Sequence, residues 1–279
     1  MNGIVRAGGA AVALVCGLCL ASGLVAAQLR GGEGMNVPPR FAPRRMPDRD
    51  FAVCRLMYTS VRREQAGSGW RTDYPYGEIN LSIRLSELTR ARVSFVGSRA
   101  PNHYVVRLTD EALFECPFVI ASDVGTVGFD DEEADALRSY LLKGGFLWVD
   151  DFWGTAAWEQ WASEISRVLD PAAYPIVDLP ISDPLFSAQF IVDEVPQITN
   201  IGFWRRNGGL ETRERYEDSE QASFRVIRDG GGRIMVAMTH NTDVADSWER
   251  EGEDEAFFLQ FSPDGYALGI NVLLHAMTH

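Results

Sequence analysis

Motifs that mark the common classes of enzyme are missing from this sequence. It has no Cys-x-x-Cys pair and no cluster of cysteine and histidine, which excludes an ordinary zinc site. It has no Gly-x-Ser-x-Gly nucleophile elbow, no phosphate-binding P-loop, no His-Glu-x-x-His and no Gly-x-Gly-x-x-Gly. The serine, histidine and aspartate residues also lack the spacing of a catalytic triad. Each absence excludes the class of enzyme that the motif marks.

Positive charge is also scarce. Lys143 is the only lysine among 26 basic residues, and 39 acidic residues give a formal net charge of −13. The acidic excess lies after residue 50, because five of the arginines fall between residues 28 and 50. Such a domain repels a phosphate backbone, so nucleic acid is excluded as a partner.

The first 27 residues have the pattern of a signal peptide. Arg6 supplies a positive charge, residues 10–25 form a weakly apolar run, and Val25-Ala26-Ala27 suits signal peptidase. Cleavage leaves Gln28 as the new N-terminus, and we expect an exported protein, periplasmic or secreted. The alternative is an uncleaved segment that anchors the chain in the membrane, although the apolar run is short for a span.

Residues 28–50 are rich in proline and arginine and show no apolar periodicity. This composition is typical of an extended, mobile linker, and we expect a solvated tether. Contact with a membrane is expected only through this linker or through the signal peptide.

Two cysteines remain after cleavage, Cys54 and Cys116, and two interpretations of them stay open. An exported protein meets oxidising conditions, in which the two thiols can form a disulfide. Both residues also lie beside apolar segments, where a free cysteine packs as a small hydrophobic side chain.

From residue 51 onward, short apolar segments alternate with helical patterns. Asp130 and Glu133 form a capping box at the start of one helix, and Gly144 ends it. The remaining patterns predict strands over 51–58, 92–96, 118–122 and 145–150, and helices over 78–89, 156–169 and 266–277. This order predicts an α/β fold with a doubly wound, flavodoxin-like parallel sheet that is covered by helices on both faces.

Two regions depart from that alternation. The proline-rich residues 170–222 are expected to be an insertion in the domain. Residues 224–228 and 233–239 flank Asp229-Gly230-Gly231-Gly232 and predict a hairpin at the edge of the sheet.

Acidic residues follow several of the predicted strands. Asp123 follows one strand, Asp150 and Asp151 end the next, and the run His240-Asn241-Thr242-Asp243 follows a third, with Asp246, Trp248 and Glu249 just beyond. The carboxyl ends of parallel strands meet at one edge of a sheet, where ligands bind. An acidic rim there suits Ca²⁺ or Mg²⁺, with Asp150, Asp151 and Asp243 as candidate ligands. The alternative is a set of separate solvated turns in which Asp150 caps the following helix.

A loop over residues 70–76, read as WRTDYPY, contains three aromatic residues and Asp73. Exposed aromatic side chains beside a carboxylate suit a sugar or a peptide. The alternative is that these side chains cover the end of the first strand.

Four stretches taken together resemble the bacterial DUF4159 family. They are residues 71–89, 137–154 (LRSYLLKGGFLWVDDFWG), 232–249 and 268–279. The resemblance covers roughly residues 51–279 and implies a class I glutamine-amidotransferase-like fold in an exported protein of unknown function. Residues of this chain that match the family motifs are Asp73, Asp150, Asp151, Asn241, Asp243, Trp248 and Glu249, and we expect a ligand-binding site among them.

The resemblance implies no amidotransferase activity. Amidotransferases carry a nucleophilic cysteine in the turn that here reads Val149-Asp150-Asp151-Phe152. An aspartate cannot form the thioester that glutamine hydrolysis requires.

Three functions are therefore considered. The first is a non-catalytic exported binding or scaffold domain, whose acidic rim holds a small ligand, an ion or an envelope protein. The second is a metal-assisted hydrolase in which Asp151 acts as base or nucleophile and Asp243 or Glu249 is its partner. The third is a structural envelope subunit with a protein-binding patch formed by Trp70, Tyr74 and Trp153.

Overall fold

The computed structural model describes residues 37–97 and 100–279. The predicted signal peptide and residues 28–36 of the predicted linker lie outside the described residues. Among the residues described, no helix has the length and apolar character that crossing a membrane requires.

A seven-stranded sheet forms the centre of the domain. The strands in the described part of the chain are β1 (Val53–Leu56), β2 (Thr59–Ser60), β3 (Phe95–Val96), β4 (Ala100–Pro101), β5 (His103–Val106), β6 (Phe118–Ser122), β7 (Val127–Gly128), β8 (Phe146–Asp150), β9 (Val177–Asp178), β10 (Ser223–Arg228) and β11 (Ile234–His240). The main sheet has the order β5-β1-β6-β8-β11-β10-β9, and the first five of these strands are parallel. Counted along the chain, those five run 2-1-3-4-5, which is the flavodoxin-like order. The predicted fold class is confirmed.

Helices cover both faces of this sheet. They are α1 (Tyr76–Leu88), α2 (Asp131–Leu142), α3 (Gly154–Val168), α4 (Ile201–Arg206), α5 (Asp246–Glu249) and α6 (Glu255–Thr278). In β6, Phe118 and Ile120 pack on the side of α1, α5 and α6, whereas Val119 and Ala121 pack on the side of α2 and α3. Both faces of the strand are buried, which explains why it reads as a continuous apolar run.

The ends of two helices show where sequence patterns succeed and fail. The Asp130–Glu133 capping box is present at the start of α2, and Gly144 follows that helix with a φ of 109°. Helix α6 begins at Glu255, eleven residues before the predicted start. The side chain of Asp254 caps it, and Pro263 lies inside it, where the helical pattern in the sequence is interrupted.

The edge of the sheet at β5 differs from the prediction in two ways. Strand β5 was not predicted, and residues 92–96 contribute β3 to a separate hairpin with β4 and one parallel bridge between Val93 and Phe51. Residues 40–42 lie along β5, with Ala42 N donating to Val105 O (3.0 Å) and Val105 N donating to Arg40 O (2.8 Å). The described part of the predicted tether is therefore held against the domain, because a proline-rich extended segment suits a sheet edge.

Cys54 and Cys116 form a disulfide, which decides between the two interpretations of these residues. Both are completely buried. The bond links β1 to the residue that precedes Pro117 and β6, and these two strands are neighbours in the sheet. The disulfide therefore fixes the two central strands whose carboxyl ends approach the candidate site.

Candidate functional site

An acidic cavity of about 290 Å³ lies at the carboxyl ends of the parallel strands. Strands β1 and β6 are neighbours at the point where the strand order reverses, and flavodoxin-like sheets bind ligands at that point. Three arginines line the cavity: Arg71, Arg215 and Arg250. Eight carboxylates also line it: Glu64, Asp73, Asp123, Asp151, Glu214, Asp243, Asp246 and Glu249. The cavity therefore has an excess of negative charge.

Three parallel strands end in the same unusual turn. The residue directly after β6, β8 and β11 is Asp123, Asp151 and Asn241, with φ of 53°, 53° and 61°. Asp73, in the loop before α1, has a φ of 66°. Among residues with a side chain, aspartate and asparagine tolerate this left-handed conformation best. Such backbone conformations cluster at functional sites, and here all four lie at the rim of one sheet edge.

Two groups of carboxylates in the cavity are close enough to hold a cation. One oxygen from each of Asp73, Asp151 and Asp243 lies within 4.8 Å of the others, and the same holds for Asp73, Asp246 and Glu249. Asp73 belongs to both groups. All the candidate ligand atoms are oxygens, which suits Ca²⁺ or Mg²⁺.

Burial opposes ionisation of these carboxyl groups. It raises the pKa of Asp73 to about 7. Burial, followed by the charge of Asp73, holds the pKa of Asp151 well above its ordinary value. The pKa of Asp243 is raised in the same direction by burial and by Asp151, and burial raises that of Glu249. Crowded carboxylates of this kind are stabilised by taking up protons or by binding a cation.

A buried chain of hydrogen bonds positions Asp73. Ser122 Oγ donates to Asp73 Oδ2 (2.6 Å), and Arg55 Nη1 donates to Ser122 Oγ (2.7 Å). Arg55 is fully buried in β1 and forms an ion pair with Glu78 of α1. Arg55, Ser122 and Glu78 were not predicted as site residues. The arginine inside the apolar strand Val53–Leu56 could have indicated this buried network, because arginine is almost never fully buried without a partner.

Asp150 lies outside the cavity, although it was predicted as a ligand and a metal candidate. It is completely buried. Its Oδ1 accepts a hydrogen bond from Thr239 Oγ1 (2.5 Å) and its Oδ2 accepts one from Ala245 N (2.9 Å). The alternative role as a cap of α3 is also not observed, because Gly154 N at the start of that helix donates to Asn241 Oδ1 (2.8 Å). Asp150 instead holds the loop after β11.

Two more residues of the expected site are structural. Asn241 uses both ends of its amide, since Oδ1 accepts from Gly154 N and Nδ2 donates to Gln221 O (3.1 Å). Trp248 is completely buried and its ring packs against Trp148 at 6.0 Å. The structure therefore brings together four of the seven expected residues: Asp73, Asp151, Asp243 and Glu249.

Some residues of the cavity were not among the predicted ligands. Asp246 in α5 joins the second carboxylate group, and its Oδ2 also accepts from Ile201 N (2.8 Å). Glu214 comes from the expected insertion and accepts from Thr199 Oγ1 (3.0 Å). No local pattern marks Glu214, because its position depends on how the 170–222 segment packs over the sheet edge.

The aromatic patch proposed for a structural subunit is not on the surface. Tyr74 is only 2% exposed and Trp153 only 4%. Trp70 is half-buried, with its ring 5.6 Å from that of Tyr74. Tyr74 and Trp153 are therefore packed inside the domain and do not form an exposed patch.

Comparison with known proteins places the chain in a group without an assigned activity. A family model described as "Domain of unknown function (DUF4159)" matches residues 54–277. No curated protein matches the chain. The geometry of the cavity is therefore the basis for any functional conclusion.

Proposed function

The chain belongs to the DUF4159 family, and on that premise we propose that it is an exported, non-catalytic binding domain that holds a divalent cation in its acidic cavity. The observation that carries the proposal is the convergence of Asp73, Asp151 and Asp243, whose oxygens lie within 4.8 Å of one another. Three carboxylates at this separation repel one another strongly when they are ionised. A cation removes that repulsion and gains several charged ligands at once.

The arginines of the cavity do not supply the missing positive charge to this group. Arg250 pairs with Glu249 (2.7 Å) and Asp246 (3.0 Å), and Arg215 lies nearest to Glu64 and Glu214. Arg55 forms its ion pair with Glu78, and burial outweighs the effect by which the charge of Arg55 lowers the pKa of Asp73. A further cation is therefore required if all three carboxylates are to ionise near neutral pH.

Oxygen ligands alone favour Ca²⁺ or Mg²⁺ over zinc or copper. Asp73 lies in both carboxylate groups, so one cation can bind beside Asp151 and Asp243 and another beside Asp246 and Glu249. A carboxylate shared in this way would bridge the two ions.

Export is supported by the pattern of residues 1–27 and by the buried disulfide, since such bonds form in oxidising compartments. The protein is proposed to be periplasmic or secreted. The amidotransferase-like fold implied by the family resemblance belongs to the same proposal, with Asp151 in place of the nucleophile.

Calorimetric titration of the purified protein with MgCl₂ and CaCl₂ tests the proposal. We expect saturable binding and, at a cation concentration 100 times Kd, a gain in unfolding free energy of about 2.7 kcal/mol. Asp243→Asn should weaken binding at least about tenfold, because cation affinity follows the charge of the ligand set. Asp193→Asn, at an exposed position outside the cavity, is the matched control. Absence of binding, or equal affinity in Asp243→Asn and the control, would overturn the proposal.

A metal-assisted hydrolase is the second candidate function, and the backbone at Asp151 favours it. Asp151 lies in the sharp turn between β8 and α3 with a φ of 53°, and one of its oxygens lies within 4.8 Å of oxygens from Asp73 and Asp243. Strained strand-to-helix turns present the nucleophile in several hydrolases. Hydrolysis of ester, glycoside or phosphoester substrates that is lost in Asp151→Asn would support this candidate, and full activity in that variant would exclude it.

A further inference from the structure

Arg71 differs from the other two arginines that line the cavity. Arg215 and Arg250 each lie within 4.0 Å of at least one carboxylate. Arg71 has no carboxylate partner in the described part of the chain, although the cavity is crowded with acidic groups. Its Nη1 donates to Val37 O (3.0 Å), and its guanidinium lies over the ring of Trp70 at 4.5 Å. The remaining guanidinium donors are available to a ligand.

The carboxylate of Asp243 is the second feature of the cavity that bears on a ligand. Its side chain is only 2% exposed, and its Oδ1 accepts a hydrogen bond from Asp246 N (2.9 Å). Its Oδ2 accepts no hydrogen bond and meets no arginine within residues 37–97 and 100–279. Asp243 therefore keeps one carboxylate oxygen available to a cation that also meets Asp73 and Asp151.

From these two features we propose that the cavity binds a small phosphate-bearing molecule between the guanidinium of Arg71 and a divalent cation held by Asp73, Asp151 and Asp243. This inference rests on the proposed cation binding. A planar guanidinium matches the oxygens of a phosphate, and stacking on Trp70 restricts the side chain before the ligand arrives. Mg²⁺ characteristically binds to one or two carboxylates together with the phosphate of a ligand.

The negative charge of the cavity makes phosphate binding depend on the cation. Eight carboxylates line the cavity, so a phosphate alone would be repelled. Phosphate is therefore expected to bind only when the cation is present. The volume of about 290 Å³ limits the ligand to a small molecule or to the phosphorylated end of a larger one.

Titration of the full chain with inorganic phosphate, in excess MgCl₂ and separately in EDTA, tests the proposal. We expect phosphate to bind only in MgCl₂. Arg71→Gln should lower phosphate affinity at least about tenfold, because a hydrogen-bonded charged group is lost. The same variant should bind Mg²⁺ as the wild type does, and Arg71→Lys should lose less phosphate affinity, because it keeps the charge.

Arg44→Gln is the matched control, since Arg44 is exposed and lies outside the cavity. It should leave phosphate affinity unchanged, and equal thermal unfolding of all variants in EDTA would show that they fold.

Phosphate binding in EDTA, or unchanged affinity in Arg71→Gln, would overturn the inference. So would acetate binding more tightly than phosphate through Arg71. Mg²⁺ binding without phosphate binding would contradict this inference alone, whereas a failure to bind Mg²⁺ would contradict the proposed function as well.

Discussion

Asp150 and Asp151 are adjacent in one turn, yet their side chains have different surroundings. Both oxygens of Asp150 accept hydrogen bonds, from Thr239 Oγ1 and Ala245 N. Asp151 accepts one hydrogen bond, from Trp153 Nε1 (3.0 Å), and lines the cavity beside Asp73. The left-handed backbone at Asp151 turns its side chain away from the direction of the Asp150 side chain. One carboxylate is therefore structural and the other belongs to the candidate cation site.

Isosteric substitutions at these two positions should change stability in opposite directions. Asp150→Asn places an amide donor against one of the two donors, Thr239 Oγ1 or Ala245 N, and we expect it to lower the unfolding free energy by about 1–3 kcal/mol. Asp151→Asn removes a carboxyl group whose ionisation is opposed by burial and by Asp73, so it should raise the unfolding free energy at pH 7 in EDTA. Urea unfolding of both variants measures this, and a change of the same sign in both would contradict the assignment.

At the scale of elements, a buried ion pair joins the strand and the helix that flank the candidate site. Arg55 lies in β1 and Glu78 in α1, and both side chains are almost completely buried. Arg55 also donates to Ser122 in β6. The three elements meet where the strand order reverses, and the loop that carries Asp73 lies between β1 and α1. The ion pair therefore fixes the side of the cavity on which Asp73 lies.

Breaking this ion pair from one side should be strongly destabilising. Arg55→Met leaves the buried carboxylate of Glu78 without its partner, and such a change costs about 3–5 kcal/mol. The double variant Arg55→Met/Glu78→Leu removes both charges, so it should recover a large part of that loss. Urea unfolding of the single and double variants measures the difference. A double variant that is less stable than Arg55→Met would contradict this account.

The strands and helices differ in how far the sequence predicts them. The strands β6 and β8 and the helices α2 and α3 follow from long apolar runs and a capping box. The edge strand His103–Val106 has only four residues, and no helical or alternating pattern extends it. Its pairing with residues 40–42 depends on contacts more than 60 positions apart, which no local pattern records.

At the scale of the whole molecule, the sequence predicts where the site lies but not which residues form it. Parallel strands must end at one sheet edge, so the acidic residues after them were expected to converge there. Which carboxylate faces the cavity depends on single backbone angles, as at Asp151. Asp246 and Glu214 approach from segments that pack over the edge, and their positions follow from tertiary contacts.

The collective charge of the cavity predicts how stability depends on pH. Burial raises the pKa of Asp73 and of Asp123 to about 7, above the ordinary value near 3.9. The folded protein therefore binds more protons than the unfolded chain between about pH 4 and pH 7. These groups favour folding below pH 4, and that contribution is lost as the pH rises to 7. In EDTA, the contribution of the cavity to stability should fall across this range.

Mg²⁺ competes with those protons, so the stabilisation that it provides should increase from pH 5 to pH 8. Thermal unfolding in EDTA and in MgCl₂ at each pH measures the increment. Asp193→Asn should show the wild-type trend, and Asp151→Asn should show a smaller increment at every pH. An increment that does not change with pH would contradict the assignment of these carboxylates to the cation site.

Anomalous diffraction from crystals soaked in MnCl₂ tests the central claim most directly, because Mn²⁺ takes the same oxygen ligands as Mg²⁺. We predict an anomalous peak in the cavity, within about 2.6 Å of oxygens from Asp73, Asp151 and Asp243. A second peak beside Asp246 and Glu249 would show that Asp73 bridges two ions. Peaks confined to carboxylates on the outer surface, with none in the cavity, would contradict the account.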